Sequence, residues 1–325
     1  MTGALVPIAL AVAMFGCGPN PGGSGSAATP GSSGTAGCST APAPPDNLAG
    51  WTKATPSDIQ PLLINGPGQV TCGENRILFT ITEKDGTPVG APDRTARISF
   101  YNLGRDPSKP IASVDGTFVW AIKDARGIYV AKASFPEAGQ YGAEIATSKG
   151  GGTPEALRLR FEVQPSSAVI GIGDKAPASK TPTLADVGGN ASQISTDQHP
   201  DPAFYRTSVD QAIAKHEPFV VIFATPKFCT SAQCGPTLGS IKPYVAKYPT
   251  ITFINVEPYK LKLVGGVLQA DTDAAGGLQA TTTTNEWHLL TEPVVYVVNR
   301  DGLVTAQFDL IFSDAELTAA LDAVK

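Results

Sequence analysis

An uninterrupted apolar run late in the chain is the feature that most constrains its fold. Residues 218–225 read Pro-Phe-Val-Val-Ile-Phe-Ala-Thr, with no polar side chain before Thr225. A strand without apolar–polar alternation is buried on both faces, as in the centre of a sheet that helices cover. Strand-like and helix-like patterns alternate on both sides of this run. The sequence therefore predicts an α/β domain over residues 166–325.

Residues 49–165 have a different pattern, in which short β-favouring runs are separated by turn signals. The clearest runs are 76–82, 97–101, 117–121, 127–134, 141–146 and 156–163. Ala138-Gly139-Gln140-Tyr141 resembles the tyrosine corner of immunoglobulin-like domains. We expect a two-domain protein, in which an all-β immunoglobulin-like sandwich precedes the α/β domain.

The N-terminus resembles an export signal. Residues 4–15 are an apolar stretch that is too short to span a bilayer, and Gly16-Cys17 follows it like the lipobox of a bacterial lipoprotein. Residues 1–17 are therefore predicted to be a lipoprotein-type signal peptide, with Cys17 as the lipidated residue. Residues 18–48 are rich in Gly, Ser and Pro and are predicted to be a disordered linker. The expected location is the extracytoplasmic side of a bacterial membrane, through a lipid anchor.

Cysteine usage agrees with export. The chain has 5 cysteines, and lipidation of Cys17 would leave an even number for disulfides outside the cytoplasm. Cys229 and Cys234 are close in sequence and form one predicted pair. Cys38 and Cys72 are then left for a structural disulfide that pins the linker to the sandwich, although a free Cys38 is an alternative.

Charge and composition exclude several partners. The net charge is -5, from 24 basic and 29 acidic residues, and no run of Lys or Arg is present. This argues against nucleic acid as a partner. With only 3 histidines, a His-rich metal centre is excluded, and we identify no motif for a cofactor or a metal.

In the α/β half the sequence resembles the thioredoxin-like superfamily. The shared features are a strand, a cysteine loop, a helix that contains Pro243, and Pro293 at the start of a hairpin strand. The resemblance implies that Cys229 attacks a disulfide and that Cys234 resolves the mixed disulfide. It also implies that Pro293 is a cis proline facing the pair. The implied activity is thiol–disulfide exchange on a protein disulfide or thiol.

The spacing Cys229-Thr-Ser-Ala-Gln-Cys234 constrains the local backbone. Residues five apart on a helix are ~8–9 Å apart, which exceeds the ~7 Å limit for a disulfide. We therefore expect Cys229 in the loop before the helix, where the helix dipole stabilises a thiolate. Lys227 is a candidate to help, and Glu292 would place a carboxylate beside the thiols. No acid occurs on residues 218–225 to serve as a buried partner.

Other functions fit parts of the same pattern. Q-type peroxiredoxins share the four-residue spacing, but position 226 is Pro where that family has Thr. A Sco-like copper carrier would use Cys229, Cys234 and His288, although its motif has three intervening residues. The pair could also be a structural staple in a non-catalytic binding lipoprotein. Trp287 and His288 are candidates to border the site, and the role of residues 258–284, a polar insertion, stays open.

Overall fold

The computed structural model describes residues 38–52, 56–66 and 68–325, which form one compact unit. These described residues are mostly β and contain four sheets. The strands of the first half are β1 Ile59–Leu63, β2 Gly73–Glu83, β3 Arg94–Asn102, β4 Ala112–Asp115, β5 Thr117–Ile122, β6 Arg126–Phe135, β7 Gly139–Lys149 and β8 Glu155–Val163. Those of the second half are β9 Phe219–Phe223, β10 Thr252–Val256, β11 Leu261–Val264, β12 Val267–Ala270, β13 Val294–Val298 and β14 Val304–Asp309. The α-helices are α1 Val209–Ala214, α2 Cys234–Lys247, α3 Thr282–Glu286 and α4 Asp314–Asp322.

The first half is a β-sandwich of two antiparallel sheets, with strand orders β1-β2-β6-β5 and β4-β3-β7-β8. Its core contains side chains from both sheets, and they alternate along each strand as a two-layer packing requires. On β2, Ile77, Phe79 and Ile81 point into this core, while Leu78 belongs to a second apolar cluster. Strand β2 is therefore buried on both faces.

Tyr141 closes one corner of the sandwich. Its hydroxyl donates to the backbone oxygen of Glu137, four residues upstream, at 3.0 Å. It accepts a hydrogen bond from the side chain of buried Asn102 at 3.1 Å. This is the hydrogen bond that the tyrosine-corner motif predicts.

The sandwich begins earlier than the sequence predicts. Within the linker predicted over residues 18–48, Ala41 and Leu48 are buried, and Ala41 pairs with Ala138 through its backbone. Trp51 lies directly on Gly142, where a Cβ atom would be 2.3 Å from the indole ring. Apolar Ala, Leu and Trp side chains thus hold this segment on the sheet, although its proline content suggests a linker. The predicted signal peptide, its Cys17 and residues 18–37 lie outside the described residues.

Two disulfides join the cysteine pairs that the sequence predicts. Cys38 is bonded to Cys72, with Cα atoms 6.3 Å apart, so the segment before the sandwich is covalently attached to the start of β2. Cys229 is bonded to Cys234, with Cα atoms 6.0 Å apart. The alternative of a free Cys38 does not apply to this structure.

The second half contains a four-stranded mixed sheet with the order β10-β9-β13-β14. Strand β10 is parallel to β9, whereas β13 is antiparallel to both of its neighbours. All five side chains of β9 are inaccessible to solvent. Val220 and Ile222 pack with α2 and α4 on one face, and the other three β9 side chains pack with α1 on the opposite face. Helices therefore cover both faces of this sheet, as the apolar run predicts.

The two halves pack against each other through an apolar cluster. Leu78 and Val130 of the sandwich belong to the same cluster as Ile311, which follows β14. Beside it, Arg76 forms two hydrogen bonds with the carboxylate of Glu316 on α4, at 2.8 and 3.1 Å. The described residues include no helix that is both long and apolar enough to cross a membrane.

We predict that Tyr141→Phe lowers the free energy of unfolding by about 1–2 kcal/mol, because it removes two hydrogen bonds inside the sandwich. The measurement is urea unfolding at neutral pH. Tyr101→Phe is the matched control, since Tyr101 is also buried but its hydroxyl bonds to no other group among the described residues. Equal losses in the two variants would contradict a specific role for the corner.

The Arg76–Glu316 pair predicts a pH-dependent contribution to stability. Burial opposes ionisation of Glu316, but the bonds from Arg76 and Ser313 outweigh it and hold its pKa below 4.5. The stabilisation is therefore present above pH 4.5 and is lost as pH falls through the lowered pKa. Arg76→Met should cost about 1–2 kcal/mol at pH 7.

The cost of Arg76→Met should shrink in acid, when Glu316 is protonated in both proteins. Chemical unfolding at a series of pH values measures it. Arg97→Met is the control, because the Arg97–Asp115 pair is exposed at 52% and 79% and should contribute little at any pH. A cost for Arg76→Met that does not change with pH would show that the guanidinium acts only through packing.

Candidate functional site

The Cys229–Cys234 disulfide lies where β9 leads into α2. Helix α2 begins at Cys234 itself, so Cys229 lies in the preceding loop. This satisfies the geometric limit derived from the spacing, since the two Cα atoms are 6.0 Å apart. Cys229 is half-buried, whereas Cys234 is fully buried among the side chains under α2. One sulfur of the pair is therefore partly accessible and the other is enclosed.

The sulfur of Cys229 receives a hydrogen bond from its own loop. The backbone N–H of Cys234, at the start of α2, points to it at 3.2 Å. The hydroxyl of Ser231 lies 3.3 Å away. An amide at a helix N-terminus stabilises negative charge on a sulfur. The loop thus holds Cys229 in an environment suited to a thiolate.

Glu292 brings a carboxylate to the same place. The residue is 7% exposed, and one of its carboxylate oxygens lies within 4.8 Å of both sulfurs. One carboxylate oxygen accepts from the backbone N–H and the hydroxyl of Thr230, at 3.0 and 2.9 Å. The other accepts from the hydroxyl of Tyr259 at 2.8 Å. The carboxylate is thus fixed by three donors.

The peptide bond between Glu292 and Pro293 is cis. The hydroxyl of Ser231 donates to the backbone oxygen of Glu292 at 3.1 Å, so this turn contacts the cysteine loop directly. The backbone oxygen of Pro293 accepts from Leu310 at 2.8 Å. Pro293 is therefore held between the cysteine loop and the end of β14, immediately before β13.

The polar insertion over residues 258–284 is folded. Strands β11 and β12 form a hairpin, and further bridges join Tyr259 to Ala280 and Thr272 to Leu278. Its first residues supply Tyr259 to the site. Burial first, and then the bond to Glu292, raise the pKa of Tyr259 far above its ordinary value. The insertion therefore supplies a neutral hydrogen-bond donor to the carboxylate.

Lys227 does not supply a positive charge to the sulfurs in this structure. Its ammonium donates to the backbone oxygen of Leu268 on β12, at 2.7 Å, and lies over the ring of Phe228. Lys227 was a candidate to stabilise a Cys229 thiolate, and this is corrected here: its flexible side chain binds a backbone carbonyl of the insertion instead. The contact ties the insertion to the loop that leads to Cys229.

Trp287 and His288 do not join the cysteine cluster. Trp287 is fully buried in the core on the α1 face of the sheet, and its ring contacts Phe223 and Tyr296. His288 is exposed. Among the described residues, the cluster of metal-ligating side chains at the pair consists of Cys229, Cys234 and Glu292, without His288. The ligand set of a Sco-like carrier is therefore not assembled.

A buried acid that the sequence analysis missed lies at the end of β10. Glu257 directly follows β10, and one of its oxygens accepts from the backbone and the hydroxyl of Thr196, at 2.6 and 2.7 Å. The same hydroxyl accepts from the backbone N–H of Lys227 at 3.3 Å. Burial raises the pKa of Glu257. The sequence analysis considered acids only on residues 218–225, which contain β9, whereas Glu257 follows β10, the strand parallel to it.

The sandwich contacts the cysteine loop as well. The buried side chain of Gln233 donates to the backbone oxygen of Ala121 at 2.5 Å, and Arg126 donates to that of Ser231 at 3.4 Å. Beside these contacts lies a mostly apolar cleft of about 260 Å³. Its lining comes from both halves and includes Leu62, Ile128, Ser231, Gln233 and Leu310. One wall of the site is thus built by the sandwich.

Comparisons with known proteins give no family. No family model and no curated protein matches the chain. Among solved structures, a DUF4426 family protein from Pseudomonas aeruginosa PAO1 is 14% identical, covers 35% of this chain and 99% of its own, and has a TM-score of 0.24. The filamin domain of Lin-41 is 11% identical, covers 34% and 98%, and has a TM-score of 0.20. MtrC from Shewanella baltica OS185 is 15% identical, covers 49% and 30%, and has a TM-score of 0.23.

We predict that Glu292→Gln makes Cys229 of the reduced protein react faster with iodoacetamide. The substitution keeps an oxygen for Thr230 but removes a charge whose repulsion of a thiolate at ~5 Å is worth about 1–3 kcal/mol. The rate at pH 7 should rise about tenfold or more. Mass spectrometry of the Cys229 peptide measures it. Glu162→Gln, an exposed acid on β8, is the matched control, and equal rates in the two variants would contradict the prediction.

Proposed function

We propose that the chain is an exported thiol–disulfide oxidoreductase that uses the Cys229–Cys234 pair. We also propose that its second half has the thioredoxin-like fold and that its sandwich is immunoglobulin-like. The support for the fold is the order of elements: β9, cysteine loop, α2, β10, the turn at Pro293, the β13–β14 hairpin and α4. The sheet order β10-β9-β13-β14 supports the same proposal.

One observation carries the proposed activity, namely the unequal environment of the two sulfurs. Cys229 is partly accessible and receives the N–H of Cys234, and the hydroxyl of Ser231 lies 3.3 Å from its sulfur. Cys234 is fully buried. A nucleophilic thiolate needs access and stabilising donors, whereas a resolving thiol needs only to reach its neighbour. We assign Cys229 as the attacking residue and Cys234 as the resolving one.

The exchange then proceeds in two steps. The Cys229 thiolate attacks one sulfur of a client disulfide, forming a mixed disulfide and releasing the other client sulfur, which takes up a proton. Cys234 next loses its proton and attacks Cys229, which re-forms the protein disulfide and releases the second client thiol. Two electrons pass from the pair to the client. Glu292 lies within reach to accept the proton of Cys234.

The sandwich has a place in this proposal as part of the client site. The apolar cleft between the two halves is lined by Ser231 and Gln233, which lie in the loop between the two cysteines. An extended client segment bound by its disulfide to Cys229 would place neighbouring apolar side chains there. This gives a physical reason for joining a sandwich to a redox domain.

We further propose that the protein is anchored to a membrane on the extracytoplasmic side through lipidated Cys17. The support is the Gly16-Cys17 pattern after an apolar stretch. Two disulfides among the described residues also suit an oxidising compartment.

A second candidate function is a binding or scaffold protein in which the pair is a structural staple. The observation that favours it is the contact between the sandwich and the cysteine loop, where Gln233 bonds to Ala121 and Arg126 bonds to Ser231. A disulfide that holds this loop would also hold the contact between the two halves. In that case the sandwich, with its cleft, would carry the function.

The reduction potential of the Cys229–Cys234 pair separates the two candidates. The full chain is equilibrated in graded thiol buffers, and the peptides of each pair are followed by alkylation and mass spectrometry. We expect a value above about -270 mV, the range of labile and reactive pairs. A value below about -300 mV would support the staple instead. The Cys38–Cys72 pair in the same samples is an internal reference for a structural disulfide.

We predict that Cys234→Ser accumulates mixed disulfides at Cys229 when it is mixed with a disulfide-containing model protein. The resolving thiol is missing, so the covalent intermediate persists. Non-reducing gels reveal the reductant-sensitive adduct. Cys229→Ser should give none, because the remaining thiol is buried. Equal amounts of adduct from the two variants would contradict the assigned roles.

A further inference from the structure

Three side chains at the site could together bind a metal ion, which disulfide exchange does not require. Among the described residues, Cys229, Cys234 and Glu292 each offer an atom that can bind a metal, and these atoms all lie within 4.8 Å of one another. In the disulfide form the two sulfurs are bonded to each other and are not available as thiolate ligands. Reduction by a dithiol adds two electrons and two protons and produces two adjacent thiols beside a buried carboxylate.

The reduced site lacks a partner for negative charge. Among the described residues, Glu292 forms no ion pair, and its three hydrogen-bond donors are uncharged. Lys227 donates to the backbone oxygen of Leu268 and Arg126 to that of Ser231 in the cysteine loop, so neither of these two basic side chains bonds to the carboxylate. Loss of both thiol protons would therefore place three negative charges together in a buried site. A divalent cation would neutralise most of that charge.

We propose that the reduced protein binds one divalent cation of the zinc class through Cys229, Cys234 and Glu292. Two thiols lose their protons, and two metal–sulfur bonds and one metal–oxygen bond form, with no change of oxidation state. Oxidation of the pair by a disulfide donor forms the protein disulfide and releases the cation, and the donor takes up two electrons from the pair and two protons from solvent to become two thiols. The proposal requires that the pair can be reduced, but not that it exchanges with a client.

The geometry suits a tetrahedral ion. Sulfurs at ~2.3 Å from a tetrahedral zinc ion are about 3.7–3.8 Å apart, which needs only a small separation after the disulfide opens. The Cα atoms, 6.0 Å apart, need not move. Three protein ligands would leave the fourth position of the ion for water or another ligand, and the half-buried Cys229 gives solvent access to the site. A site of this kind binds the ion and leaves one position open to exchange.

The surroundings of Glu292 support its role as a ligand. Carboxylates that bind metals are held in turn by hydrogen bonds from outer residues. Here Thr230 donates twice to one oxygen and Tyr259 donates once to the other, so the carboxylate is oriented before any ion arrives. Two thiolates with one carboxylate also favour zinc over monovalent copper, which prefers sulfur ligands alone.

Titration with cobalt tests this site, because cobalt reports thiolate ligation by a charge-transfer band. The full chain is reduced with a phosphine under anaerobic conditions and titrated with Co²⁺, and the ion is then displaced by Zn²⁺. We expect a band at one cobalt per chain that disappears with zinc, and no band in the oxidised protein. Cys229→Ser/Cys234→Ser is the background variant, since it retains the other cysteines.

Glu292→Gln tests the third ligand. We expect cobalt affinity to fall at least tenfold, whereas Glu162→Gln, on the surface of β8, should bind as the unsubstituted protein does. Circular dichroism checks that the variant is folded. X-ray absorption of the zinc-bound unsubstituted protein gives a second measure that needs no variant, and we expect two sulfurs plus oxygen or nitrogen ligands.

The proposal is overturned if the reduced protein shows no more thiolate band than the background variant. It is also overturned if Glu292→Gln binds cobalt unchanged, or if zinc is surrounded by four sulfurs or by none. Turnover of a disulfide substrate in the presence of a chelator is measured separately. If the protein exchanges disulfides but binds no metal, this proposal fails and the proposed activity stands. If it binds metal but does not exchange disulfides, the proposed activity fails and this proposal stands.

Discussion

Burial of β9 on both faces is the constraint on which the second half of the molecule depends. Alternate side chains of Phe219–Phe223 enter two separate cores, and neither core can form unless this strand lies in the middle of its sheet. Strands β10 and β13 must then flank it. The chain leaving β9 therefore emerges beside the turn that leads into β13. That placement brings the loop of Cys229 to Glu292, although the two are far apart in sequence.

Much of the β-sandwich could be predicted because six of its strands have clear patterns. All six predicted runs lie within observed strands. Strands β1 and β4 were missed, and both are edge strands. Strand β1 contains Pro61, which has no N–H to donate, and an edge strand tolerates this because one of its sides has no partner strand. Strand β4 has four residues and buries none of them fully. These two edges carry little apolar pattern, unlike the predicted edge strands β5 and β8, so neighbours rather than sequence define them.

The positions of site residues that depend on backbone geometry could be predicted from the sequence. The contacts of long side chains, which can bind several different partners, could not. The disulfide limit placed Cys229 ahead of α2, and its proximity to Glu292 followed from the turn at Pro293. Tyr259 could not be foreseen, since its contact depends on how the insertion folds. Lys227 was expected to face the sulfurs, but its ammonium reaches a carbonyl on β12. A flexible cation is attracted to the nearest free acceptor, which sequence spacing does not reveal.

The Cys38–Cys72 bond has a mechanical consequence for a chain held by its N-terminus. A pull applied before Cys38 passes through the sulfur bridge directly to the start of β2, which is buried between the sandwich core and the second half. The segment between the two cysteines, which includes Trp51 and edge strand β1, then carries none of the tension. The weakest part of the sheet is thereby excluded from the force path, so the fold resists peeling from its edge.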